Sequence, residues 1–284
     1  MKTLLFVATG AALVVAAIVG STALAVGMPG KGHMAVTRAD LQGVNFVENC
    51  AFSHRLPDDP IVFPGQPGLS HNHTFVGNET TNAFSTFGSL VSATTSCRRA
   101  DDTAAYWVPT LYQGTTPVLP LGATIYYRRS TLQKVRPFPN GLRMIAGNSA
   151  ASGPQDLKVT YWNCGIEGAV RPSSTVPTCP AGRRTMLRLH VRFPSCWDGR
   201  SLDSTDHKSH MAYPTAGRCP STHPVAVPAI ELIYRYPTQG GSDFSLASGG
   251  QLTAHADFFN AWNPGALRHL VDGCLNALVH CGQG

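Results

Sequence analysis

The stretch MLRLHVRFP, residues 186–194, alternates apolar Leu187, Leu189, Val191 and Phe193 with polar Arg188, His190 and Arg192. A period of two is that of a strand with one face on a core and the other toward water. Short runs rich in β-branched and aromatic residues recur along the chain: YWVPTLY, ATIYYRR, LKVTYWNC and IELIYRYP. Between them, 21 prolines and 28 glycines supply turn signals. The pattern predicts a mainly β fold, a single β-sandwich-like domain over residues 44–284. One helix is expected, at NPGALRHLVDGCLNAL (263–278). Asn263 is a good N-cap, Pro264 fits the first helical position, and Leu267, Leu270, Val271, Cys274 and Leu278 form an apolar stripe.

The N-terminus sets the compartment. Lys2, an apolar run from Leu4 to Val19, and Ala23-Leu24-Ala25 have the layout of a secretory signal peptide, residues 1–25. The run is short for a spanning helix, which needs about 20 residues. No stable membrane span is therefore expected after cleavage, and residues 26–43 are expected to form a flexible leader. All eight cysteines lie downstream of the signal. An even count in an exported chain reads as disulfides, and the absence of any CxxC pair argues against a thiolate zinc site. Nearest-neighbour pairing gives Cys50–Cys97, Cys164–Cys179, Cys196–Cys219 and Cys274–Cys281. The expected location is secreted, extracellular or cell-wall associated.

The net charge of +6 is spread over scattered pairs of arginines. Nucleic-acid binding would need a clustered basic stripe with interleaved aromatics, so no nucleic-acid partner is expected. A mildly positive surface suits an anionic wall glycan or polysaccharide better. Neither a GxSxG elbow nor a phosphate-binding or dinucleotide-binding glycine motif is present.

Only 13% of the residues are charged, yet three short segments are dense in imidazole and carboxyl groups. In SHNH (70–73), His71 and His73 would share one face of a strand. In WDGRSLDSTDHKSHMAYP (197–214), Asp198, Asp206, His207, His210 and Tyr213 crowd together. In TAHADF (253–258), His255 and Asp257 again share a face. Against each stands a plainer role: strand-end polarity for the first, turn capping by Asp and Ser for the second, a buried hydrogen-bonded pair for the third.

The ordered series SHNHTFVGN, FPNGLRMIAGN, LHVRFPSCWDGRSLDSTDHKSHMAYP, CPSTHPVAVPAIEL and HADFFNAW resembles the DUF1996 family, a domain of unknown function in secreted fungal and actinobacterial proteins. The resemblance implies an extracellular polysaccharide as substrate or ligand. The family's motif positions fall on His71, His73, Arg143, Asp198, Asp206, His207, His210, Tyr213, His223 and Asp257. Relatives carry HGD where this chain has HAD, which puts a glycine-dependent backbone at Ala256 in question.

The leading expectation is a secreted enzyme cleaving an extracellular polysaccharide, as glycoside hydrolase or polysaccharide lyase. Asp206, His207, His210, His73, Asp198 and Asp257 would carry the chemistry, and Arg143, Tyr213, His71, Trp197 and His255 would bind substrate. No cofactor is required by that scheme. Two alternatives stand beside it. One is a metal-binding protein, with zinc or copper held by His71, His73, His207 and His210. The other is a non-catalytic glycan or cell-wall binder.

Overall fold

The computed structural model describes residues 35–165, 170–182 and 184–283, together with Met1. The expected signal segment beyond Met1 and leader residues 26–34 lie outside the described residues. From Val36 onward the chain forms one compact unit. Within the leader, Ala39–Leu41 make a 3-10 turn, with Thr37 donating to Asp40 at its entry.

Two antiparallel sheets carry the fold. The six-stranded sheet runs in the order His280–Gln283, Asn45–Cys50, Gly122–Arg128, Ala229–Arg235, Arg188–Arg192, Thr160–Asn163, and only its first pair is parallel. The five-stranded sheet runs Phe52–Leu56, His73–Gly77, Ala105–Pro109, His255–Phe259, Arg143–Gly147. A small three-stranded ribbon sets Cys196–Trp197 between Met211–Ala212 and Val225–Ala226.

The core lies between the sheets. Leu187, Leu189, Val191 and Phe193 are all buried, as their alternation predicts, and join one cluster with Phe46, Ile125, Leu232 and Phe258. His190 departs from that pattern. It is buried on the opposite face, stacked on Tyr161 at 4.2 Å with Nδ1 3.2 Å from Glu231, because that face carries its own ion network. A buried polar pin also crosses the core. Tyr106, from the five-stranded sheet, donates to both oxygens of Asp102 at 2.8 and 2.9 Å, and its hydroxyl touches that of Tyr127 on the other sheet. Trp262 Nε1 donates to Tyr127 at 2.8 Å. Each member is satisfied, which is what makes polar groups tolerable at that depth.

The C-terminal helix begins as expected, with Asn263 accepting from the Gly265 and Ala266 amides. Its α-helical part ends at Leu270, however, and Val271–Asn276 continues as a wider π turn. That turn contains Cys274, and the Asn276 side chain pairs with the backbone N–H and C=O of Val135. The four bridges join Cys50–Cys97, Cys164–Cys179, Cys196–Cys219 and Cys274–Cys281, and no described cysteine is free. Such bridges belong to an oxidising compartment. No described helix is long and apolar enough to cross a membrane.

The outer face of the five-stranded sheet positions the site. Its apolar half, Phe75, Trp107 and Phe259, is covered by Ile61 from the segment between the first two strands and by Phe87 and Leu90 from the segment between the second and third. Asp58 anchors that cover by accepting from the Gly68 and Ala83 amides, and a capping box of Thr86 and Ser89 starts the short helix Phe87–Val91.

Core packing yields a first prediction. Phe258 meets Tyr106 and Phe138 at 5.2 Å and Phe193 at 6.4 Å between ring centroids. Phe258→Ala should lower unfolding free energy by about 3–5 kcal/mol. Denaturant unfolding checks this, and a loss below about 1 kcal/mol would mean the sheets are not held by this contact.

Candidate metal centre

Strand periodicity places three imidazoles together. His73 opens the strand His73–Gly77, and His71, two residues earlier, projects to the same side, with ring centroids 4.3 Å apart. His255 opens the strand His255–Phe259, and Asp257 follows on the same face. Ala256 and Phe258, between and after them, turn into the core. The methyl group of Ala256 is thus an inward packing group, and its backbone lies outside the left-handed region that would demand glycine.

Glycine is required one strand away. Gly147 pairs with His255 across the ladder at φ +83°, and a Cβ there would sit 2.5 Å from the Ala254 carbonyl oxygen. Only a residue without a side chain lets the two backbones meet this closely.

The rings are oriented by backbone carbonyls. His73 Nδ1–H donates to Asp58 O at 3.0 Å, and His255 Nδ1–H donates to Thr253 O at 2.9 Å. In a neutral imidazole this leaves Nε2 as the acceptor. His255 Nε2 lies 3.2 Å from His71 Nε2, and His73 Nε2 is buried with no hydrogen-bond partner. One nitrogen from each of His71, His73 and His255 falls within 4.8 Å of the other two. Burial lowers the basicity of all three: His71 below its ordinary value, His73 well below, and His255 down to about 3. Neighbouring imidazoles add to the effect on His73. All three are neutral at physiological pH, the state that ligates a metal.

Two carboxyls lie behind them. One oxygen each of Asp59 and Asp257 falls within 4.8 Å of a His73 nitrogen. Asp257 is buried with neither oxygen hydrogen-bonded, and Oδ2 stands 3.9 Å from His255 Nε2. Burial raises its carboxyl well above the usual range, and the nearby Asp59 pushes it further. Asp59 is raised by burial, against the pull of the Ile61 and Val62 amides. A buried carboxylate without a partner is costly in an apolar setting, and a cation relieves that cost directly.

A cavity of about 340 Å³ opens on this group, lined by His71, His255, Asp257 and Asp59 on one side and by Asp206, His207 and Lys208 on the other. His207 is held there at φ +58°, a strained region for a residue with a side chain, with Nδ1 3.0 Å from Asp203. Lys208 Nζ donates to Gly147 O at 2.7 Å.

The remaining sequence candidates are placed otherwise. Asp206 borders the cavity, but its carboxylate accepts from Ser204, Lys208 and Ser209, which hold it well below the usual range. His210 is buried behind the rim, its two nitrogens engaged by Ser204 Oγ at 2.9 Å and Arg143 O at 2.7 Å. It does not join the imidazole cluster, nor does His207. Asp198 caps a turn through the Arg200 and Ser201 amides, and Trp197 Nε1 donates to Ser201 O. Arg143 pairs with Asp203 at 3.4 Å and stacks over Phe259. Tyr213 is exposed, with its hydroxyl donating to Arg192 O, and His223 Nε2 lies 2.9 Å from Ser209 O. Asp59 is the residue sequence reasoning missed. Its only signal is the LPDDP turn that precedes SHNH.

No curated protein and no solved structure matches the chain. The family model for DUF1996, a domain of unknown function, matches residues 59–262, a span that runs from Asp59 through all three imidazoles and Asp257. The chain belongs to the DUF1996 family.

Proposed function

We propose that the protein is a metal-binding protein whose centre is formed by His71, His73 and His255, with Asp257 as the adjacent carboxylate. The observation that carries this reading is the 3.2 Å between His71 Nε2 and His255 Nε2. Two nitrogens on a tetrahedral ion with bonds near 2.0–2.1 Å are separated by roughly 3.3 Å. In the metal-free protein the same geometry is a hydrogen bond, His71 Nε2–H donating to His255. Metal binding requires His71 to move its proton to Nδ1, a nitrogen with no partner among the described residues. Imidazole with carboxylate favours zinc(II) or copper(II) over the harder cations. Carbonyl-anchored Nδ1 atoms are the outer support such centres use.

With His71 half-exposed and facing the cavity, an ion held by the three imidazoles would keep one side open to solvent, the arrangement of a reactive rather than a purely structural site. Cleavage of an extracellular polysaccharide by a carboxylate pair draws less support. Asp198 and Asp206 are tied into turns that keep them ionised, so neither is suited to act as the protonated acid. Any hydrolytic step is better carried by an ion at the imidazoles, with the substrate entering the 340 Å³ cavity.

Calorimetric titration of metal-stripped protein with zinc(II) and with copper(II) should give one ion per chain. His73→Ala and His255→Ala should each weaken binding about a hundredfold or more, and Asp206→Asn should leave it within about threefold. Several weak sites, or full affinity in either histidine variant, would overturn the assignment.

The lowered imidazole basicity has a consequence for stability. His255 titrates near 3 in the folded chain against an ordinary 6.5, so below pH 6.5 only the unfolded chain takes up that proton. Stability conferred by the neutral ring is complete above pH 6.5 and falls as the pH drops toward 3. In chelated protein the wild-type stability should fall more steeply than that of His255→Asn, by about 1.4 kcal/mol per pH unit. Denaturant unfolding at pH 6.5, 5.5 and 4.5 reads this, and parallel curves would show that the ring is ionised in the fold.

A further inference from the structure

Away from the imidazoles, a cavity of about 740 Å³ lies on the outer face of the six-stranded sheet. Its floor is a rigid ion network. Glu231, buried among the strands, accepts from Arg128 at 3.1 Å and Arg192 at 3.1 Å, with His190 at 3.2 Å and Tyr161 at 3.3 Å. These partners keep the carboxyl down at about 2 despite burial, which acts the other way. The arginines are also fixed from the side: Arg128 sits 4.2 Å over Tyr126 and Arg192 5.1 Å over Tyr161.

Each guanidinium has donors left over. Arg128 uses one terminal nitrogen on Glu231, and Arg192 uses Nε and one terminal nitrogen. A guanidinium carries five N–H donors, so several remain for a ligand. Lys158 lines the same cavity, and Arg171 lines an adjoining one beside Lys158 and Arg192. Neither has an ion-pair partner among the described residues. With Glu231 already neutralised inside the network, the groove presents unpaired positive charge, opposed at its surface by Asp156.

The groove is long. The cavity bearing Arg171 shares Asp156, Lys158 and Arg192 with the large one. The large one shares Asp156, Val159 and Tyr213 with a smaller cavity, which in turn shares Ile145 and Lys208 with the metal pocket. Shared lining residues thus link Arg171, the two stacked arginines, the exposed Tyr213 ring and Lys208. Cations flank an exposed aromatic ring, which suits a chain of sugar rings bearing carboxylates.

We propose that this groove binds an acidic polysaccharide of the uronic-acid type, as a site distinct from the imidazole centre. Its affinity rests on Arg128, Arg192, Lys158 and Arg171, so it does not need the metal. The test is calorimetry on metal-stripped protein with a linear hexamer of galacturonic acid, its fully methyl-esterified form, the monomer, and glutamate hexapeptide. The acidic hexamer should bind, with affinity falling as salt rises, and the other three should bind at least about tenfold more weakly. The double variant Lys158→Ala/Arg171→Ala changes only exposed loop positions. It should bind the hexamer about tenfold more weakly while keeping wild-type zinc affinity. Equal binding of the esterified form, equal binding of the peptide, an unaffected double variant, or binding that appears only after metal loading would each overturn the proposal. Loss of zinc binding with hexamer binding intact would instead count against the metal centre alone.

Discussion

Two backbone carbonyls, Asp58 O and Thr253 O, determine what the imidazole cluster can do. By accepting the Nδ1–H of His73 and His255 they fix the tautomer of both buried rings and turn Nε2 inward. Without those two bonds each ring is free to flip, and its outward nitrogen would be lost to solvent or to the sheet. Of the nitrogens left inside, His255 Nε2 has only the His71 ring and His73 Nε2 has no hydrogen-bond partner, and neither oxygen of the buried Asp257 carboxyl beside them has one. An electron-poor partner is the missing element, and a divalent cation supplies both a Lewis acid for the nitrogens and a charge for the carboxyl.

The scaffold keeps those carbonyls in place from two directions. Thr253 leads into a strand whose alternate residues are packed in the core, so the register of His255 is set by Ala256 and Phe258. Asp58 belongs to the cover over the outer face, and its own carboxylate holds that cover by accepting hydrogen bonds from two backbone amides. The site thus sits where an apolar-packed sheet face ends and a hydrogen-bonded loop begins. A shift of one residue in either strand would send every ligand to the opposite face.

Much of this was legible in the sequence. The alternation in MLRLHVRFP identified the core face of its strand, and the HxH spacing and the His–x–Asp spacing each identified two groups on one side. What the sequence withheld is the pairing that brings His71 within reach of His255, 184 positions away. That register is fixed by long-range sheet order, for which no local pattern exists. The segment DSTDHKSHMAYP misled for a physical reason. Asp206, Ser204 and Ser209 form a turn that hydrogen-bonds to itself, and His210 clamps that turn to Arg143. Residues that stabilise a loop and residues that move protons are the same types, and density alone does not separate them. His190 was hidden similarly, because a strand's outer face reads as solvent-facing even where an ion network covers it.

The central claim is that imidazole nitrogens from two distant strands share one ion. X-ray absorption spectroscopy of protein loaded with one equivalent of zinc reads this directly. The account predicts three imidazole nitrogens at about 2.0 Å, with their outer-ring scattering, and one or two oxygens completing the shell. A shell made only of oxygen, or one containing a single imidazole, would contradict it.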